Sequence, residues 1–443
     1  MNRLAAALLL GTGIGPVTLA ADPPPTVRFD RVVIDHDLAG AYQVEVADVD
    51  GDKRPDVVAL GTNVIAWYQN PAWTKRIIGE TKAGPLRADI ISSATVDLDG
   101  DGRAEVAIAC NFAMNSPTRG QLFLASQGAT LDAAWTLRKV ADVPSIHRVR
   151  WADLQADGKP ELIVAPIFGP KARPPSYEQD PARVAWFRPG EAAPGTGHWT
   201  AHPILERPIV HAIRVEPTRR GDDGRIQAGG VMTADAGGVS MAMVQLEGPG
   251  AVIRGWEQGP YSLSRAATNA PRRGSSDING GIAGGEIFFT TIDPWHGNEL
   301  AVWHTLGGGE PPVVGTGPEA TARRVARFLK GAGAVLSGRI VNRTVIDATL
   351  DDGHALWVAD VDGDGADEIF AGHRGTDHRV SMYRREGDAW VRTVIDRDIA
   401  AQDLRGGDLD GARVPDVVAV GGSTHNVVWY RPTRLKGGPA STR

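Results

Sequence analysis

At 443 residues, with 54 glycines and 30 prolines, the chain can bury a large core and suits many short strands joined by turns better than long helices. A formal charge of −6 is small for this length and gives no sign of a nucleic-acid or anionic-membrane partner. The one cysteine, Cys110, excludes an intrachain disulfide, and its setting "EVAIACNF" reads as inert core.

Asn2 and Arg3 precede the apolar run Leu4 to Leu10, and small residues lie around Ala20 and Ala21. Residues 1–21 therefore read as a secretory signal peptide, and the mature chain is expected to be secreted or periplasmic. No later segment carries eighteen uninterrupted apolar residues, so no membrane span is expected. From residue 22 to 435 one repeat dominates. It reads "VADVDGDKRPDVVALG" from Val46, "TVDLDGDGRAEVAIAC" from Thr95 and "WADLQADGKPELIVAP" from Trp151. It returns as "VADVDGDGADEIFAG" from Val358 and "GGDLDGARVPDVVAVGG" from Gly406. Each copy is followed by an aromatic-bearing strand such as "VIAWYQN" or "NVVWYRP", then by one of the type "WTKRIIGE" or "WVRTVID". Four short strands per unit, at spacings of roughly 45 to 65 residues, predict an all-β propeller with variable loops.

The last strand type falls at Phe29 to Asp35, Trp73 to Glu80, Trp135 to Asp142, Trp199 to Glu206, about Val252 to Glu257, about Arg339 to Asp347, and Trp390 to Asp396. Seven such strands predict seven blades. The first precedes any complete blade and the final blade stops after its third strand, so the N-terminal strand is expected to complete the last blade and close the ring. The fourth and fifth blades keep the strand pattern but lose the acidic turn. Residues 307–333 read as an insertion between blades with a short helix at Thr321 to Lys330, and 436–443 as a disordered tail.

The acidic turns place several hard oxygens around one tight loop, which suits Ca²⁺ or, less well, Mg²⁺. The full sets are Asp48, Asp50, Asp52 and Asp56; Asp97, Asp99, Asp101 and Glu105; and Asp360, Asp362, Asp364 and Glu368. Partial sets are Asp153, Asp157 and Glu161, with Gln155 in a ligand place, and Asp408, Asp410 and Asp416, with Ala412 in another. Solvated turns favour Asp and Gly without metal, but three complete copies favour a structural ion that pins the hairpin, with the third- and seventh-blade turns expected to be weak or empty. No organic cofactor is expected.

The start of the first strand and the end of the second emerge on the face opposite these turns. Six residues before the first turn Asp stand Tyr42, Ile91, His147, His354 and Gln402, with His211 in the matching place of the fourth blade. Beyond the second strand come Asn111, Asp235, His296, His373 and His378, and Arg87, Arg148 and Arg374 lie close in sequence. Histidine titrates near neutrality and serves as base and acid. Three imidazoles could instead hold a transition metal such as zinc, and a rim of structural histidines is the bland alternative.

The repeats resemble the FG-GAP/VCBS type of β-propeller. More narrowly, "SIHRVRWADLQADGKPELIVAPIFGP", "IVHAIRV", "TIDPWHGNELAVW" and "DDGHALWVADVDGDGADEIFAGHRG" resemble the propeller domain of aldos-2-ulose dehydratases and the seven-bladed propeller lyases that cleave rhamnosyl-glucuronate linkages. This resemblance implies a β-elimination on a sugar, with His147, His211, His296 and His354 at the motif positions. His211 or His147 would be the base, His354 and His296 would bind or protonate, and Tyr42 would be an acid. Arg148 or Arg374 would offset charge, and Arg87, Asn111, Asp235, His373 and Gln402 would bind substrate. The cupin-like domains of the dehydratase have no counterpart here, so isomerase activity is not expected. Two other readings compete: a non-catalytic calcium-binding propeller that binds glycans or a protein, and a glycoside hydrolase, for which Asp235 and Asp293 are the candidate acids. The sequence leaves oligomeric state open.

Overall fold

The computed structural model describes residues 27–192, 198–220, 226–227, 229–245, 254–262, 274–305 and 341–435. The expected signal peptide, the insertion 307–333 with its helix, and the tail 436–443 lie outside the described residues.

Seven four-stranded antiparallel sheets form the blades of a propeller. Blade 1 runs Gln43–Ala47, Asp56–Leu60, Val64–Gln69 and Thr74–Glu80; blade 2 runs Ser92–Val96, Glu105–Cys110, Gln121–Ser126 and Thr136–Asp142. Blade 3 runs Ile146–Ala152, Glu161–Pro166, Ala182–Ala192 and Trp199–Arg207, and blade 4 Ala212–Glu216, Gly230–Asp235, Gly238–Gln245 and Arg254–Ser262. Blade 5 comprises Asp277–Ala283, Glu286–Asp293, Glu299–Thr305 and Val341–Asp347, and blade 6 Gly353–Ala359, Glu368–His373, Arg379–Glu386 and Ala389–Asp396. Blade 7 holds Ala401–Gly407, Asp416–Gly421 and Asn426–Arg434, and its outer strand is the N-terminal Val27–Asp35, paired from Val27↔Arg434 to Asp35↔Val427. The expected closure is therefore present, and each first strand touches the next around the ring, the last touching the first. Among the described residues no helix is long and apolar enough to cross a membrane.

The core lies between blades, not within them. Second strands such as Asp56–Leu60 and Glu161–Pro166 are buried along their whole length because a blade packs on either face. Each of the seven main apolar clusters joins two neighbouring blades. One such cluster sets Val418, Val427 and Trp429 of blade 7 against Val57, Ala59 and Tyr68 of blade 1. A blade alone would leave both faces wet, so the ring is the folding unit. Cys110 is fully buried and its thiol is pushed up to about 11 by burial, as inert core requires.

Polar stitches repeat across three blade junctions. Tyr68 donates its hydroxyl to Asp35 at 2.5 Å, Tyr383 to Asp347 at 2.6 Å, and Tyr430 to Asp396 at 2.6 Å. In each case a tyrosine on a third strand reaches the aspartate that ends the preceding blade's outer strand. Lys75, Arg392 and Arg31 add a cation to the same three carboxylates.

The acidic turns share one architecture. The carboxylate at the ninth position accepts the amide of the residue after the first Asp: Val49 to Asp56, Leu98 to Glu105, Leu154 to Glu161, Val361 to Glu368 and Leu409 to Asp416, all at 2.8–3.0 Å. One oxygen of that side chain is thus a clamp across the turn. Gly51, Gly100, Gly363 and Gly411 have φ between 71° and 82°, a region that costs a side chain steric strain.

Candidate functional site

Inner strands carry the site at one end and the acidic turns at the other. His147 lies in Ile146–Ala152, whose far end leads to Asp153; His354 lies in Gly353–Ala359, which leads to Asp360. His211 immediately precedes Ala212–Glu216, and His296 sits in the loop between the second and third strands of blade 5. That loop bends sharply: His296 has φ 51°, and a Cβ at Gly297 would run into the Asp293 carbonyl. A left-handed backbone at a bulky residue is strained and needs surrounding structure to hold it.

Four imidazoles from four blades meet there. Ring centroids are 5.0 Å apart for His147 and His211, 4.7 Å for His211 and His296, 5.2 Å for His211 and His354, and 5.0 Å for His296 and His354. His147, His211 and His354 are buried. Tyr42 stands edge-on to His354 at 5.5 Å, and Phe112 flanks His147 at 5.4 Å.

Hydrogen bonds assign the tautomers. His211 Nδ1 faces the Ser276 carbonyl at 2.6 Å and His354 Nδ1 the Gln402 carbonyl at 2.6 Å. A carbonyl only accepts, so both neutral rings carry hydrogen on Nδ1 and a lone pair on Nε2. His296 bridges a donor and an acceptor: Arg374 Nη2 donates to its Nδ1 at 3.0 Å, and its Nε2 donates to His211 Nε2 at 2.9 Å. Arg374 is itself held by Asp352 Oδ2 at 2.7 Å and Gln402 Oε1 at 2.8 Å. The Nε2 lone pair of His354 is buried without a hydrogen-bond partner. Arg148 Nη1 donates to His147 Nε2 at 3.2 Å, and Arg148 Nη2 lies 3.5 Å from the Tyr42 hydroxyl.

Burial, and then the nearness of other groups that can carry positive charge, hold three of these imidazoles well below their ordinary range: Arg148 and His296 lie against His147, His296 and His147 against His211, and Arg374 and His296 against His354. They are neutral near pH 7. One ring nitrogen each of His211, His296 and His354 lies within 4.8 Å of the others, the span of a three-imidazole metal set. The carbonyls behind His211 and His354 suit such ligands. His296 would then have to turn its Nδ1 hydrogen toward Asp352 Oδ1, 3.6 Å away.

The remaining expected site residues are spread more widely. Gln402 is in the cluster through both its carbonyl and its side chain. Asp235 is buried in blade 4 and accepts the hydroxyls of Thr233 and Ser240 at 2.8 Å each. His373 is bonded to the Asp351 carbonyl at 3.2 Å, Asn111 accepts from Arg119 at 2.9 Å, and Arg87 is exposed. Asp293 is committed to Ser275, Thr291 and Arg343. Two features went unforeseen. A cleft of about 350 Å³ is lined by Tyr42, Asp89, Ile90, Phe112 and Met114, of which Tyr42 and Phe112 are the rings that flank His354 and His147. A narrow channel that His354 and Tyr42 also face is lined further by Arg148, Arg150, Asp277, Asp403 and Arg405, and burial pushes the Asp277 carboxyl up to about 6. The alternation of Arg148 with Arg150 and of Asp403 with Arg405 was the available signal, since alternate residues of an inner strand face the channel.

On the opposite face, carboxylates converge in four turns: Asp48, Asp50 and Asp56; Asp97, Asp99 and Asp101; Asp360, Asp362 and Glu368; and Asp408, Asp410 and Asp416. Asp52, Glu105 and Asp364 stand outside these groupings. In blade 3 a guanidinium lies among the carboxylates: Arg188 Nη2 is 3.1 Å from Asp157 and 3.0 Å from Glu161, and also bonds Gln155.

Residues 48–108 and 97–164 of this seven-bladed propeller match the model of the FG-GAP-like repeat. The chain is 24% identical over 268 residues to aldos-2-ulose dehydratase of Phanerodontia chrysosporium, an alignment covering 59% of this chain and 26% of that protein. The chain thus spans about a quarter of the length of that curated relative. Among solved structures, a lectin of Agrocybe aegerita that recognises non-reducing terminal N-acetylglucosamine aligns at 12% identity over 86% of each chain, with a TM-score of 0.45. The extracellular domain of a hybrid two-component system from B. thetaiotaomicron aligns at 8% identity over 91% of this chain and 39% of its own, with a TM-score of 0.47.

Proposed function

We propose that this chain is an exported carbohydrate lyase or dehydratase that performs β-elimination on a sugar at the imidazole cluster. One observation carries the reading: the buried His354 Nε2 lone pair, its tautomer held by the Gln402 carbonyl, has no partner and stands beside the Tyr42 ring. A neutral imidazole with a free lone pair is a base. In the proposed step His354 Nε2 takes a proton from the carbon next to a carbonyl or carboxylate. The released electron pair forms the carbon–carbon double bond as the β-oxygen departs with a proton from the Tyr42 hydroxyl. Arg148, bonded to His147 and close to Tyr42, offsets the developing negative charge. The cleft that shares Tyr42 with the cluster is of a size to admit a sugar ring. Likeness to a protein named aldos-2-ulose dehydratase supports the reaction class. The base differs from the His211 or His147 expected at first, because the His211 Nε2 lone pair is engaged by His296.

The test is a screen of keto-sugars and uronate-containing oligosaccharides for new ultraviolet absorbance. An active substrate whose turnover survives His354→Gln undiminished would remove the assignment. Binding without any turnover would favour a glycan-binding propeller instead.

The grouping of His211, His296 and His354 supports a second reading, in which the imidazoles hold a transition metal such as zinc that polarises the substrate oxygen. Metal analysis of the purified protein separates the two, since the first needs no ion there. We further infer that the acidic turns of blades 1, 2, 6 and 7 hold divalent cations, calcium by ligand type. Glu368 supports this: it is 1% exposed, its Oε1 has no partner, and a buried carboxylate oxygen needs one.

A further inference from the structure

The five acidic turns have the same backbone clamp but differ in what faces it. Strand pairing sets one residue of the third strand beside the ninth-position carboxylate. Phe187 pairs with Leu162, so Arg188 stands beside Glu161. By the same register Arg384 stands beside Glu368, and Arg431 beside Asp416. Three blades therefore carry arginine at one structural position, and the three side chains go to different places. Arg384 bonds Glu386 on its own strand. Arg431 lies over the Trp429 ring at 5.9 Å and reaches Asp30 at 3.2 Å. Arg188 instead enters its turn, with Nη2 3.1 Å from Asp157 Oδ2 and 3.0 Å from Glu161 Oε1, and a further bond to Gln155.

We propose that Arg188 is a built-in counter-ion that takes the place of a divalent cation in the turn of blade 3, so that this turn closes without metal. Two substitutions act together. Gln155 replaces a charged ligand by a neutral acceptor, and the guanidinium brings a fixed positive charge with several directed donors to the remaining oxygens. Glu161 Oε1 corresponds to Glu368 Oε1, which is orphaned in blade 6; in blade 3 the arginine satisfies it. The ligand role expected for Asp153, Asp157 and Glu161 is replaced by a salt-bridge role. A protein so built keeps blade 3 rigid when calcium is withdrawn and the other turns loosen.

The comparison with the other turns rests on the cation reading above, and hydrogen exchange on the full chain with calcium or EDTA keeps the two separable. Segments 48–56, 97–105 and 360–368 should gain protection on adding calcium, while 153–161 should be unchanged. In Gln155→Asp/Arg188→Gln, segment 153–161 should become calcium-responsive, and native mass spectrometry should count one more bound ion than in the parent. Arg384→Gln should add none. Calcium-dependent protection of 153–161 in the parent protein, or no added ion in the double variant when the parent's other segments do respond to calcium, overturns the proposal. If no segment of the parent responds to calcium, the cation reading of the other turns fails; Arg188→Gln must then still loosen 153–161 in EDTA, and unchanged exchange there overturns the Arg188 role.

Discussion

A main-chain carbonyl behind Nδ1 leaves His211 and His354 with outward lone pairs, but His296 engages the first and leaves the second free. The chemistry of the cluster follows from that one difference. His354→Gln is expected to lower kcat by about 10²- to 10⁴-fold, with the melting temperature little changed; comparable losses in His211→Gln and His354→Gln would point to a shared metal. Because burial and neighbouring charge depress the imidazoles, they stay uncharged well below pH 6.5. The kcat/KM profile should therefore lack the acidic limb near pH 6.5 that an ordinary histidine base produces. A limb centred there would show the base to be elsewhere.

Strands are stitched to neighbouring blades by tyrosine–aspartate pairs, and here pH has a definite sign. Burial alone would raise the Asp347 carboxyl, but Thr349, Tyr383 and Arg392 together outweigh it and hold it below the usual range; Asp35 and Asp396 are lowered by equivalent partners. A depressed carboxyl contributes stability that is present above the unfolded-state value and lost as pH falls through the folded one. Tyr383→Phe should then destabilise by about 1.5–3 kcal/mol at pH 7, the worth of a hydrogen bond to a charged group. The deficit should shrink in denaturant titrations below about pH 4, and an equal deficit at pH 3 and pH 7 would deny the carboxylate its role. The aromatic and the "VID" signals are both visible in the chain, yet their pairing is not, because partners such as Tyr68 and Asp35 lie on strands of different blades.

At the scale of the ring, closure and ions act on the same edges. Deleting residues 1–35 removes the outer strand of blade 7 and bares the edge of Asn426–Arg434, so light scattering should report aggregation. EDTA should lower the melting temperature and excess calcium restore it; indifference to both would reject structural ions. The blade count, the closing strand and the separation of histidines from acidic turns were all readable, since each follows from local repetition and from the direction of a strand between its two ends. The same holds for the convergence of His147, His211, His296 and His354, which share equivalent ends of their blades. Side-chain contacts were not readable in that way. Which imidazole keeps a free lone pair, why Asp235 is spent on Thr233 and Ser240, and why Arg188 enters its turn while Arg384 and Arg431 turn away depend on angles and distances between segments far apart in the chain. Only packing the blades against one another fixes those, because each blade buries its faces on its neighbours and so takes its orientation from them.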